Sequence, residues 1–415
     1  MAAILGCIAD DFTGATDIAS ILKRSGETVR LHIGTPKFSV SESATFEIIA
    51  LKCRNLPVND AVSECLRACE WLKNNGVKRF FWKYCSTFDS QIEGNIGPVS
   101  EALMAYLNVK QTIYCPAFPE NNRKVFMGNL FVGQKLLSES SMKDHPLTPM
   151  RDSNLVRLLT PQVKTVVGLA DHSIVIKGAI FLRKYLDELL ESGVTHVIVD
   201  AISNDDLFTI TKACSDFMLF TGGSALAMHL PNLFAKECDL IKQIPYPRSP
   251  HLYKESIILS GSCSEMTQRQ VLSYMRTGAP SYKLNAIEIA EKGVDKVLEW
   301  LDDQSSLDIP LLYSTSTQKE VLKTQNILGV KKAAETIEFA MSKIATHARR
   351  MKKNKFIIAG GETAGAVLTA LKINILDIGL EISPGVPWTF CENKGDPIAL
   401  ALKSGNFGAE SFFKD

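Results

Sequence analysis

The sequence predicts an α/β fold of two domains, each with a mainly parallel sheet flanked by helices. Short continuous apolar runs alternate with amphipathic helical patterns along the chain, which is the signature of βα units. The alternation is interrupted at Ile244-Pro-Tyr-Pro-Arg-Ser-Pro-His251, where Pro245, Pro247 and Pro250 prevent regular structure. At 415 residues the chain also exceeds the size at which a single core stops growing. The expected organisation is therefore a domain over 1–243, a Pro-rich linker over 244–254 and a second domain over 255–415.

The elements follow in order. Ile4 to Ala9 is a buried first strand ending at Asp10-Asp11, and a helix is expected from Ala15 to Arg24. Strand-length apolar runs come next at Val29 to Ile33, Phe46 to Leu51, Arg79 to Tyr84, Thr112 to Cys115, Thr165 to Leu169 and His196 to Val199, with a helical pattern at Asp60 to Lys73. In the second domain, Ser256 to Leu259, Leu311 to Tyr313 and Phe356 to Ile358 read as strands. Helices are expected near Thr267 to Arg276, Gly293 to Leu301, Lys331 to Met351 and Ala366 to Leu371. Pro116 to Thr160 lacks periodicity, and a stretch that long suggests a substrate-covering excursion.

Composition narrows the function classes. With 46 basic and 45 acidic residues the net charge is +1, and the Arg349-Arg-Met-Lys-Lys353 cluster reads as a solvated helix end. Neither a nucleic-acid partner nor an anionic-membrane partner is expected, while a homo-oligomer is compatible with the sequence. Ten scattered cysteines without a C-x-x-C read as buried free thiols. The amino terminus lacks a basic lead-in and is broken by Asp10, and no apolar run reaches membrane-span length, so a cytoplasmic protein is expected. The seven histidines are dispersed, so no zinc site is expected.

The chemistry-bearing residues gather at strand ends. Asp10, Asp11 and Thr13 follow the first strand, where ligands collect in open α/β sheets, although Asp11 or Thr13 also suits a helix cap. Lys52 and Arg54 follow the strand from Phe46, and Lys83, Ser86, Thr87 and Asp89 follow that from Arg79. Cations with hydroxyls and carboxylates suit a small polyhydroxy acid. Further along, Gly360-Gly361-Glu362-Thr363 lies between an apolar strand and a helix, the geometry in which backbone N–H groups face an anion. It is neither a P-loop nor a dinucleotide G-x-G-x-x-G. Ser260-Gly261-Ser262-Cys-Ser264 repeats the arrangement, and Lys403-Ser-Gly405-Asn-Phe-Gly408 is a third glycine-rich turn. His145 is a candidate ligand contact in the long excursion, and Thr221-Gly-Gly-Ser224, which reads either as another anion turn or as a tight strand-to-helix turn, stands outside the candidate set.

The run Ile8-Ala-Asp-Asp-Phe-Thr-Gly-Ala-Thr-Asp17 resembles the opening of the four-carbon acid sugar kinases. Lys83-Tyr-Cys-Ser-Thr-Phe-Asp-Ser90, Pro116-Ala-Phe-Pro-Glu-Asn121, the Ser260 and Gly360 turns and Pro384-Gly-Val-Pro-Trp388 resemble the same family, in its order. Within it, His145 to Arg157 resembles the branch that acts on 3-oxo-tetronate. The resemblance implies an amino-terminal sugar-acid domain, a carboxy-terminal domain for ATP with Mg²⁺, and transfer of phosphate to the 4-hydroxyl. Asp10 or Asp11 would then receive or orient the hydroxyl proton. Thr13, Arg54, Lys83, Ser86, Thr87 and Asp89 would bind the acid. Ser260, Gly261, Ser262, Gly360, Gly361, Glu362, Thr363 and Gly405 would bind the nucleotide; no ligand set for the metal stands out. The rival readings are a threonate or erythronate kinase and a non-catalytic sensor of sugar acid and nucleotide. A nicotinamide dehydrogenase fits the α/β pattern but lacks the fingerprint.

Overall fold

The opening apolar run forms β1 (Leu5–Ala9), buried along its whole length. In the computed structural model the described residues are 3–38, 43–145, 148–234, 253, 255–305, 308–393 and 396–414. They fall into two compact units, 1–244 and 245–415. Of the proline-rich segment expected as a linker, 244–252 and 254 lie outside the described residues.

The first unit contains β2 (Val29–Ile33), β3 (Phe46–Ala50), β4 (Arg79–Lys83), β5 (Thr112–Cys115), a hairpin sheet of β6 (Arg123–Phe126), β7 (Asn129–Val132) and β8 (Lys135–Leu136), then β9 (Val166–Ala170), β10 (Val194–Val199) and β11 (Leu219–Gly222). Its main strands run β2-β3-β1-β4-β11-β5-β10-β9, all pairs parallel. After β1 the chain builds β2 and β3 on one side, whereas β4 pairs on the other. The β1/β4 boundary is thus a topological switch point, and its carboxyl end is where such sheets bind ligands.

Packing sets the spacing. The helix Val58–Asn74 turns Ala61, Cys65, Ala68, Cys69 and Leu72 inward, and full burial of a side chain such as Leu72 stabilises by about 1.5–3 kcal/mol. Leu72 comes so close to β1 that a Cβ on Gly6 would lie 2.9 Å from its Cδ1. The first helix spans Phe12–Lys23, three residues earlier than its apolar pattern suggested, because Asp11 caps it.

The aperiodic excursion contains the β6-β7-β8 hairpin sheet. Its first turn is moored by buried Asp200, at the end of β10, which accepts the backbone N–H groups of Met127 at 2.5 Å, Gly128 at 2.9 Å and His172 at 2.9 Å. Burial pushes the Asp200 carboxyl up, against those hydrogen bonds.

The second unit contains β12 (Ser256–Ser260), β13 (Ser281–Lys283), β14 (Leu311–Tyr313), β15 (Lys355–Ala359), β16 (Ile375–Ser383), β17 (Val386–Asn393) and β18 (Asp396–Lys403), ordered β13-β14-β12-β15-β18-β17-β16. The pairs from β13 to β18 are parallel, while β16-β17-β18 form an antiparallel meander. Both units are mainly parallel α/β, as the sequence predicts. Every described cysteine is free. Among the described residues no helix is long and apolar enough to cross a membrane.

The Thr221-Gly-Gly-Ser224 turn serves packing. A Cβ on Gly222 would lie 2.5 Å from the Cys115 carbonyl oxygen, and one on Gly223 2.7 Å from that of Pro116. Gly223 has φ −72°, which alanine adopts freely, so its constraint is steric alone. Gly223→Ala is therefore expected to lower stability by about 1–3 kcal/mol, as overpacking against fixed backbone does, measured by urea denaturation of the full chain.

Candidate active site

At the β1/β4 switch point two carboxylates and a lysine leave adjacent strands. Asp10 donates its backbone N–H to Lys83 O at 3.0 Å, and its carbonyl accepts the backbone N–H groups of Cys53 (3.1 Å) and Arg54 (3.2 Å). This draws the segment after β3 across the end of β1. Asn95, at the start of the helix Ile96–Leu107, fixes that segment further, its Nδ2 donating to the carbonyls of Cys53, Arg54 and Leu56 at 2.9–3.0 Å.

Arg54 is the hub. Its Nε donates to Asp10 Oδ2 at 2.7 Å, its Nη2 to Asp10 Oδ1 at 2.8 Å and Asp11 Oδ1 at 2.7 Å, and its Nη1 to Asp89 Oδ2 at 3.5 Å. Asp89 also accepts Thr87 Oγ1 at 2.7 Å, and Thr87 lies 2.9 Å from the Cys85 thiol. Lys83 is buried and donates to Tyr84 O at 2.9 Å. Gly14 admits it: a Cβ there would lie 2.6 Å from Lys83 Nζ and collide with the Asp11 carboxylate.

The two adjacent aspartates have different surroundings. Asp11 caps the helix, accepting Gly14 N–H at 2.9 Å and the Thr13 hydroxyl at 2.6 Å. Burial opposes its charge, but Arg54, Lys83 and these hydrogen bonds outweigh it and hold its pKa below the usual range. Asp10 has Arg54 as its side-chain partner and no capping bonds, and burial pushes its carboxyl up despite the guanidinium. For Asp89 burial again opposes the charge, and Arg54, His145 and the Thr87 hydrogen bond bring it below the usual range.

The structure thus gathers Asp10, Asp11, Thr13, Arg54, Lys83, Thr87 and Asp89 at one end of the sheet. Ser86 is buried beside them in the chain, and His145 lies near enough to act on Asp89. Arg54, expected to bind the acid, commits its guanidinium to three carboxylates. Sequence reasoning missed Arg123. This buried arginine begins β6 and lies within electrostatic reach of Cys85, Asp17 and Asp89. Its signal was a charged Asn121-Asn-Arg-Lys124 tract in a segment without period. Asn95 was also missed, since an asparagine before a helix reads as an ordinary cap.

In the second unit the three glycine turns meet. Gly261 and Ser262 both donate backbone N–H groups to Ala359 O, at 3.0 and 3.1 Å, joining the ends of β12 and β15. A Cβ on Gly261 would collide with the Thr363 hydroxyl, and one on Gly405 with that of Ser262. Gly360 has φ +114°, which disfavours any side chain, and a Cβ there would meet Ser262 N at 3.0 Å. Ser260 is turned aside, its hydroxyl 2.7 Å from that of Thr315. Ser264 caps the helix Glu265–Met275 through Thr267 N–H at 3.2 Å. Glu362 lies in the first turn of the helix Gly361–Ala370, beside Thr363. All eight residues expected to bind nucleotide therefore lie on or beside these turns.

A family model described as a sugar-binding N-terminal domain matches residues 5–230, and one described as a nucleotide-binding C-terminal domain matches residues 257–413. A 3-oxo-tetronate kinase of Burkholderia multivorans is 45% identical over 413 residues, covering 99% of this chain and 96% of the relative. The chain belongs to the four-carbon acid sugar kinase family. It is an ATP-dependent kinase. The 3-oxo-tetronate kinase of Haemophilus influenzae is 42% identical over 415 residues, 99% of this chain and 98% of that one. A crystal structure from Salmonella typhimurium LT2 superposes with a TM-score of 0.81 at 38% identity, over 99% of this chain and 98% of that one. One of a Haemophilus influenzae protein gives 0.72 at 41%, over the same shares.

Breaking the Arg54 hub leaves three carboxylates facing one another. Arg54→Met is expected to destabilise the protein by about 3–5 kcal/mol at pH 7. Asp11 and Asp89 have depressed folded pKa values, so their contribution is present above about pH 4 and lost as pH falls through those values. Asp10, with its raised value, works in the opposite sense. The gap between wild type and variant should narrow below about pH 4, read from urea midpoints across a pH series.

Proposed function

We propose that the protein transfers the γ-phosphoryl group of ATP to the 4-hydroxyl of 3-oxo-tetronate, giving 3-oxo-tetronate 4-phosphate and ADP. Residues 1–243 hold the sugar acid, residues 255–415 hold the nucleotide, and 244–254 join them. The names of the relatives support the substrate, and the carboxylate cluster at the switch point supports the site. Asp10 is the proton acceptor in this reading. Asp11 is committed as a cap, whereas Asp10 carries a carboxyl that burial has made more basic.

The hydroxyl oxygen forms its bond to the γ-phosphorus as the bond to the β–γ bridging oxygen breaks; ADP departs with that electron pair, and the proton passes to Asp10. Lys83 and Arg123 supply positive charge for the substrate carboxylate, and Thr13, Ser86 and Thr87 supply hydroxyl partners. Arg54 holds Asp10, Asp11 and Asp89 in register. In the second unit, N–H groups and hydroxyls of the Ser262, Gly360–Thr363 and Gly405 turns receive the phosphates.

Among the described residues, no group of three or more histidine, cysteine or acidic side chains forms a metal cage. Mg²⁺ keeps several waters and needs only one or two protein oxygens beside the phosphates. Glu362 and Thr363 are the donors that fit a metal arriving on the nucleotide. When bound, it neutralises charge on the β- and γ-phosphate oxygens.

An ADP-release assay over a panel of four-carbon acids tests the substrate. Turnover should require Mg²⁺ together with an acid, and kcat/KM should be higher for 3-oxo-tetronate than for threonate or erythronate; a reversed order would reassign the acid within the family. Asp10→Asn should lower kcat by about 100-fold to 10,000-fold, the usual loss of a general base. Asp11→Asn should cost less, because asparagine caps a helix as well as aspartate does. Near-normal kcat in Asp10→Asn would shift the base to Asp89 or Asp11.

A further inference from the structure

Lys403, the last residue of β18, is completely buried. Its Nζ donates to Thr267 Oγ1 at 3.0 Å, Ser404 O at 3.1 Å and Gly405 O at 2.9 Å, so all three ammonium protons meet neutral oxygens. The other fully described buried lysines have opposing charges close by: Lys83 acts on Asp10 and Asp11, and Lys353 lies 3.2 Å from Glu255. A buried ammonium with no carboxylate is costly unless something else supplies the counter-charge.

Its position indicates what does. Lys403 O accepts the N–H of Gly360 at 2.9 Å, and Thr267, which Lys403 Nζ contacts, donates its hydroxyl to Gly405 O at 2.6 Å. Gly405 in turn lies against Ser262 and Ser264. Lys403 is thus a shared support behind all three glycine turns. We propose that Lys403 is a positioning residue of the nucleotide site, its ammonium serving as a fixed counter-charge to the polyphosphate and as the pin that holds the Ser404-Gly405 turn. This rests on the nucleotide reading of the turns given above.

Burial lowers the Lys403 pKa to about 7, with no charged neighbour contributing. The titratable groups on the elements around it are Lys355 at the opposite end of β15 and, on β17, Cys391 and Glu392, in register with Ile398 and Pro397. The flanking helices add Glu362, Tyr274 and the mutually paired Glu265 and Arg269, and β18 itself begins at Asp396, the opposite end from Lys403. An arriving polyphosphate favours the charged lysine, so nucleotide binding draws a proton onto it.

The test is calorimetric titration of ADP into the full chain at pH 8, in buffers of different ionisation enthalpy. At that pH the phosphates are already deprotonated, their last pKa being about 6. Wild type should take up more than about half a proton per ADP. Lys403→Met should take up none and bind ADP more weakly, by at least about twofold at pH 8 for the pKa shift that half-proton uptake requires, and by about tenfold more for each further unit that carries Lys403 above pH 8. Its affinity for the sugar acid should be unchanged. If the methionine variant does not fold, Lys403→Gln, which keeps an N–H donor for the turn without the charge, is read in the same way. Wild-type binding without proton uptake, or unchanged uptake and affinity in the variant, overturns the proposal. Gly360→Val separates the two readings: if it leaves ADP binding intact, the nucleotide lies elsewhere and the site reading fails. If it abolishes binding while Lys403→Met binds and protonates as wild type does, the site stands and Lys403 has no part in it.

Discussion

The amino-terminal unit depends on one guanidinium. Asp10 and Asp11 come from the end of β1 and Asp89 from the loop after β4, and Arg54 reaches them from the segment after β3. Three carboxylates at such range, largely out of water, would repel one another strongly. Arg54 converts that repulsion into cohesion, and its planar fork can serve several acceptors where an ammonium could not. The backbone makes this placement affordable: Asn95 and the Asp10 carbonyl fix the Arg54 segment before its side chain is considered.

Much of this was legible in the sequence because parallel strands are buried on both faces and read as continuous apolar runs. β1, β3, β4, β5, β12, β14 and β15 stood out for that reason, and the polar residues just beyond β1, β3 and β4 marked the candidate site. Other elements obey a different pattern. β16 alternates apolar and polar residues, as a half-exposed antiparallel strand does, and β13 is three residues at a sheet edge with a polar composition. The β6-β7-β8 strands are too short for any period to emerge, so Arg123 was missed along with them.

Lys403 illustrates a separate limit. The last lysine of an apolar strand reads as a solvated surface group, and only the fold shows that Thr267 and the Gly405 turn close over it. The same holds for the contrast between Asp10 and Asp11. Sequence places two identical side chains side by side, whereas their local bonds give them opposite electrostatic character. The glycines were easier to read, since Gly261, Gly360 and Gly405 each answer to a contact or a backbone angle that no other residue satisfies.

The clasp at Asp200 bears on how this chain can be altered. It fixes the Met127–Gly128 corner of the β6-β7 hairpin, while the isolated bridge between Phe118 and Arg123 fixes its base. The path between those two points is pinned at both ends, so its length is set: an inserted or deleted residue there would carry Arg123 out of line with the carboxylates. The next corner is different, since Gly133 has open space around the position of a Cβ. A reporter or affinity handle for the intact enzyme belongs at that second corner, where the loop can lengthen without reaching the sheet.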